Sequence, residues 1–127
     1  MTKTVEMWIE HARYDMESAT VMLSADRHIY VMFFCQQAIE KALKAVIMDR
    51  TKKAAPRTHN LTKLVALAGV EADQSQIDLM SELSSFYVQS RYPETLESTL
   101  EPVGREQAET LHDRSKEMLE WLLLMLK

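Results

Sequence analysis

Apolar residues recur at three- and four-residue intervals along most of the chain, as expected of helices that each bury one face. Val5, Trp8, Ile9, Ala12, Met16, Ala19 and Leu23 form one such stripe and predict a first helix over about residues 4–24, with His11, Asp15 and Ser18 at its flank. A second predicted helix, about 29–50, is apolar over far more of its circumference: Val31, Phe34, Cys35, Ala38, Ile39, Ala42, Leu43, Ala45, Val46 and Ile47. A helix with so little polar surface contacts neighbours on more than one side, so this one is expected at the centre. Gln37, Lys41 and Lys44 form its narrower polar stripe. The basic, proline-ended stretch 51–56 reads as a loop. Asn60 is a favourable N-cap for a short helix over 61–68, which Gly69 ends. Ile77, Met80, Leu83, Ser84 and Tyr87 predict a fourth helix over 75–90, and Pro93 forbids its continuation. After a loop over 94–101, Pro102 suits the first turn of a fifth helix running to the end of the chain, with Leu111, Ser115, Met118, Leu122 and Met125 as its stripe.

No strand pattern and no internal repeat stands out. The expected fold is all-α: an antiparallel up-and-down bundle of four long helices plus one short helix, a single domain over residues 1–127. Composition agrees. Only two glycines and three prolines interrupt the chain, and nine methionines suit an irregular helical core. A net charge of −4 argues against a protein that coats nucleic acid, while leaving room for a local basic pocket. Cys35 is the only cysteine, which rules out an internal disulfide and is expected to be a small buried hydrophobe. The N-terminus has no apolar run of signal-peptide type, and the apolar run 121–126 is far too short for a membrane span. The expected location is therefore cytoplasmic, with no membrane partner.

Three stretches in order along the chain carry a family resemblance. They are "HARYDMESA" (residues 11–19), "FFCQQAIEKALKAVI" (33–47) and "FYVQSRYPE" (86–94), with "THNL" (58–61) between the second and third. Together they resemble the HEPN family, the higher-eukaryote and prokaryote nucleotide-binding domain. The resemblance implies a helical bundle, frequent dimerisation and a link to nucleotides or RNA. It also implies a nucleotidyltransferase partner in a toxin–antitoxin-like pair. Other members are metal-independent endoribonucleases with an Arg, four to six residues, and then a His near the start of the last helix.

Arg91 has no His in that range, but Arg105 and His112 are separated by six residues near the start of the fifth helix. Seven positions is close to two turns, so both side chains share a face, about 100° from the centre of the apolar stripe. A His there would move a proton of a ribose hydroxyl or leaving oxygen, and an Arg would stabilise charge on a phosphate. The plain alternative is a solvated helix face, and Glu106 beside Arg105 would repel a phosphate.

The resemblance also places Asp15, Lys44, His59, Tyr87, Arg91 and Tyr92 in motif stretches, as candidate ligand-binding residues expected to converge. Asp15 is expected near enough to Arg91 to pair, with Glu40 as an alternative partner for that Arg. His59 is expected to meet a ligand or Asp15, or else to pin its loop. Lys44 is expected to be a cleft wall or, more plainly, a solvated lysine. "ETLH" (109–112) matches one Glu-x-x-His, but a di-iron site needs two such motifs and two further inward carboxylates. No glycine-rich phosphate loop and no zinc spacing occurs, so no metal or cofactor is expected. Three functions follow: a nucleotide- or RNA-binding protein paired with a nucleotidyltransferase, a metal-independent endoribonuclease using Arg105 and His112, or a non-catalytic module that dimerises and docks a partner. The apolar C-terminal run favours a homodimer.

Overall fold

The computed structural model describes residues 1–91 and 103–126, without the side chains of 89–91. It contains α1 (Lys3–Ser24), α2 (His28–Thr51), α3 (Leu61–Ala68), α4 (Gln74–Arg91) and α5 (Arg105–Leu123), and no strand among the described residues. Thr2 caps α1 through its hydroxyl, which accepts from the Val5 amide at 3.2 Å. A three-residue turn with Asp26 in the left-handed region (φ 58°) reverses the chain into α2.

α2 touches all four other helices, which is why its sequence is apolar almost all round. Val31, Met32, Cys35, Ala38, Ile39, Ala42, Leu43 and Val46 are inaccessible to solvent and form the spine of the core. Ala12, Met16 and Ala19 of α1, Leu61 and Leu64 of α3, Met80 and Leu83 of α4, and Leu111 and Leu122 of α5 pack around them. No helix among the described residues is long and apolar enough to cross a membrane.

The short α3 is capped at both ends, and its C-terminus is tied to α2. At its C-terminus Gly69 takes φ 67°, a conformation that strains any side-chain-bearing residue, and its amide donates to the Ala66 and Val65 carbonyls. The Arg50 guanidinium at the end of α2 donates to the Ala68 carbonyl at 2.8 Å, placing a cation on the carbonyl end of the α3 dipole. At the N-terminus the Asn60 side chain accepts from the Lys63 amide at 3.1 Å, as its sequence position predicts. α4 opens with a reciprocal cap: Asp73 accepts from the Gln76 amide, and Gln76 accepts from the Asp73 amide.

α5 differs from expectation at both ends. It begins at Arg105 with Gly104 as N-cap, and it ends at Leu123 in a turn. Pro102 lies outside the described residues.

Candidate functional site

Gln36, Glu40 and Lys44 stand four residues apart on α2, so they lie in one row along a largely apolar helix. All three are buried. The row begins at a cleft between α2, the start of α3, and α4. Gln36 donates its amide to the His59 carbonyl at 3.2 Å and accepts from the Ser84 hydroxyl at 3.4 Å, tying the three elements together. Thr58 accepts from the Asn60 amide at 3.1 Å, so the backbone on both sides of His59 is held.

Glu40 is the hub. One carboxylate oxygen, Oε2, meets His59 Nδ1 at 2.9 Å and Lys44 Nζ at 3.1 Å. The Lys44 ammonium also lies 5.6 Å from the centre of the Trp8 ring on α1, a cation–π contact that compensates part of its burial. Among the described residues Glu40 Oε1 has no hydrogen-bond partner. His59 remains half exposed at the mouth of a cleft of about 420 Å³, whose wall includes Gln36, Asn60, Thr62, Ser84 and Tyr87. Behind it the Tyr87 ring stacks on Phe33 at 5.3 Å with an interplanar angle of 8°, and stands 6.1 Å from His59.

Of the candidates read from sequence, His59 and Tyr87 therefore meet at the cleft, while Lys44 bonds Glu40 and forms no part of the cleft wall. His59 bonds Glu40 and not Asp15. Lys44 is buried rather than solvated. Asp15 belongs to a neighbouring pair, with its carboxylate 2.7 Å from Lys41 Nζ. The Arg91 side chain and Tyr92 lie outside the described residues, so the expected Asp15–Arg91 pair does too. Glu40 and Gln36 are the residues sequence reading missed as a site. Their signal was the four-residue spacing Gln36–Glu40–Lys44, hidden because Gln37, Lys41 and Lys44 make an equally regular polar row beside it.

Arg105 and His112 have different surroundings. Arg105 is exposed and donates to Asp26 at 2.6 Å and to Glu109 at 2.9 Å. The Glu109 hydrogen bond, with the negative charges of Asp26 and Glu109, pushes its pKa further up and holds it charged. His112 is buried in the α1–α5 seam, its Nε2 2.8 Å from the Thr20 hydroxyl and its Nδ1 3.1 Å from Asp113. No cluster of three or more His, Cys, Asp or Glu residues able to hold a metal ion occurs among the described residues.

The arrangement is similar to solved structures over the whole chain. The crystal structure of TT1696 from Thermus thermophilus superposes with a TM-score of 0.85 at 22% identity, covering 98% of this chain and 100% of that one. ST0689, an archaeal HEPN homologue, gives 0.71 at 23% identity, with both chains fully covered. At these identities the likeness concerns the fold. No curated protein matches the chain significantly. The family model described as HEPN domain matches residues 5–125, nearly the entire length, and the chain belongs to the HEPN domain family.

Proposed function

We propose that this chain binds a nucleotide or an RNA end in the cleft at His59, as a homodimer, and acts with a nucleotidyltransferase partner in a toxin–antitoxin-like pair. One observation carries the binding part: the buried Glu40–Lys44 pair terminates on a half-exposed histidine in a preformed cleft. Buried ion pairs are weak stabilisers, and apolar residues of similar volume often serve the fold as well or better. Their presence in the middle of the central helix is therefore better explained by orienting His59 than by holding the bundle. The homodimer rests on apolar surface left at the C-terminal end of α5, where Leu124 is 84% exposed. The partner rests on family membership.

The test is a binding panel of ribonucleotides and short RNAs on the intact chain and on His59→Ala. Binding that His59→Ala weakens supports the reading, and no binding by the parent chain ends it. Light scattering reads the oligomeric state, and co-purification with a co-expressed nucleotidyltransferase reads the pairing.

A metal-independent endoribonuclease is the second reading. It is favoured by the placement of Arg105 and His112 two turns apart on α5, both meeting the end of α1 or the turn after it. A phosphate there would have to displace Asp26 from Arg105. RNA cleavage that persists in chelator and is lost in both Arg105→Lys and His112→Ala would establish it.

A further inference from the structure

Charge is segregated along this chain. Residues 50–70 carry five of its fifteen Lys and Arg residues, and all nineteen Asp and Glu residues lie outside that stretch. The protein as a whole, at −4, repels a polyanion, so any attraction for one is local to this segment. Arg50 is committed to the carbonyl end of α3. That leaves Lys52, Lys53, Arg57 and Lys63, all of them exposed.

The fold strings these cations between two cavities. Lys52, with φ 60°, is the C-cap of α2 and turns the chain back along that helix. Lys52 and Lys53 line a cavity of about 390 Å³, to which the first turn of α1 adds the positive end of its dipole. Asp49 in the same wall lies 3.9 Å from the Lys52 ammonium and offsets part of its charge. At the other end of the loop stands His59, bonded to Glu40 at the mouth of the cleft. From Glu40 to Thr51 the α2 axis rises about 16 Å. The six residues from Ala54 to His59 reach about 21 Å at most. The loop has little slack, so Arg57 stands between the lysines and the cleft. Lys63 follows the cleft residue Thr62 on the first turn of α3.

Cations set out in this way make a track that leads to the cleft. A mononucleotide held at His59 meets one end of it, whereas a strand of successive phosphates meets its whole length. Such contacts fix the position of a strand and leave its sequence unread. Resting on the proposed function, we infer that the ligand is single-stranded RNA. Its end sits in the cleft at His59, and its sugar–phosphate backbone runs over Arg57 to Lys52 and Lys53.

Fluorescence anisotropy on the intact chain tests this with a labelled single-stranded RNA of about ten nucleotides (within the range of single-strand site sizes). Three to four phosphate contacts are expected to weaken binding about 20- to 50-fold as salt rises from about 50 to about 200 mM. Changing Lys52, Lys53 and Arg57 to Gln together is expected to cut that salt dependence to about three-fold. The urea midpoint is expected to stay in place, because the three side chains are exposed. Changing Arg13, Arg27 and Lys116 to Gln removes the same charge elsewhere on the surface and is expected to keep the parent's salt dependence.

RNA binding that His59→Ala weakens, with the salt dependence untouched by loss of Lys52, Lys53 and Arg57, would overturn the inference and leave the proposed function standing. An equal effect from the two triple variants would also overturn it, by showing that net charge and not the track governs binding. Polyglutamate that binds the track while RNA does not would assign it to an acidic protein instead. No binding of RNA or of any ribonucleotide by the parent chain would end both readings.

Discussion

His59 and His112 each bond polar neighbours, and the two regions are built in opposite ways. At His59 the carboxylate and the lysine are buried and the imidazole is half exposed at the mouth of the cleft. At the α1–α5 seam the charges of Arg105, Asp26 and Glu109 are exposed, and the imidazole of His112 is buried against Thr20. A histidine bonded from behind by a buried acid has its orientation at the cleft set by that acid. A histidine packed between two helices is oriented by the packing itself. Similar residue types thus carry different structural weight, and this sets the expected size of each substitution.

Glu40→Ala is expected to have the largest effect. It strands the buried Lys44 ammonium, and loss of one partner of a buried pair costs about 3–5 kcal/mol. Urea unfolding reads this directly. A cost comparable to that of an exposed pair would erase the contrast between the regions.

The next effect comes from Cys35, buried in the core where α2 meets Ser115 of α5. Burial pushes its thiol from 9.0 up to about 12, partly offset by the Ser115 hydroxyl. Between those values the unfolded chain holds fewer protons than the folded one, so this group makes stability fall as pH rises. The slope approaches about 1.4 kcal/mol per pH unit within that window. Comparing urea unfolding of the parent and Cys35→Ala at about pH 8 and about pH 10 isolates it, since other groups titrate in both. Equal pH dependence in the two proteins would show that the thiol is not held protonated.

His112→Ala is expected to cost about 1–2 kcal/mol through the lost Thr20 contact and packing in the seam. A cost near zero would mean that His112 is not held by the seam, and would strengthen its candidacy as a reactive group. Arg105→Ala is expected to leave the urea midpoint unmoved, because exposed ion pairs contribute little. A clear loss of stability there would show that the Asp26–Arg105–Glu109 chain anchors the turn between α1 and α2.

Much of this bundle was legible in the order of residues. The apolar stripes locate five helices, Asn60 and Gly69 mark both ends of α3, and the nearly all-apolar circumference of α2 puts it at the centre. These features are legible because periodicity and capping are local: each depends on neighbours within about two turns. The start of α5 was misread because proline favours a first turn without requiring one, and Gly104 supplies the cap instead.

The site was legible only in pieces. His59 and Lys44 were candidates, but the acid between them was not read as part of a site, because Gln36–Glu40–Lys44 and Gln37–Lys41–Lys44 are equally regular rows on one helix. Which row turns inward depends on where α1, α3 and α4 pack, and no residue of α2 encodes that alone. The same holds for Arg105 and His112. Their spacing sets a common helix face, and the sequence determines that much. Only the seam with α1 decides that one of them is buried against a hydroxyl and the other is held by two carboxylates in solvent, because burial is a property of the neighbouring helix as much as of the residue itself.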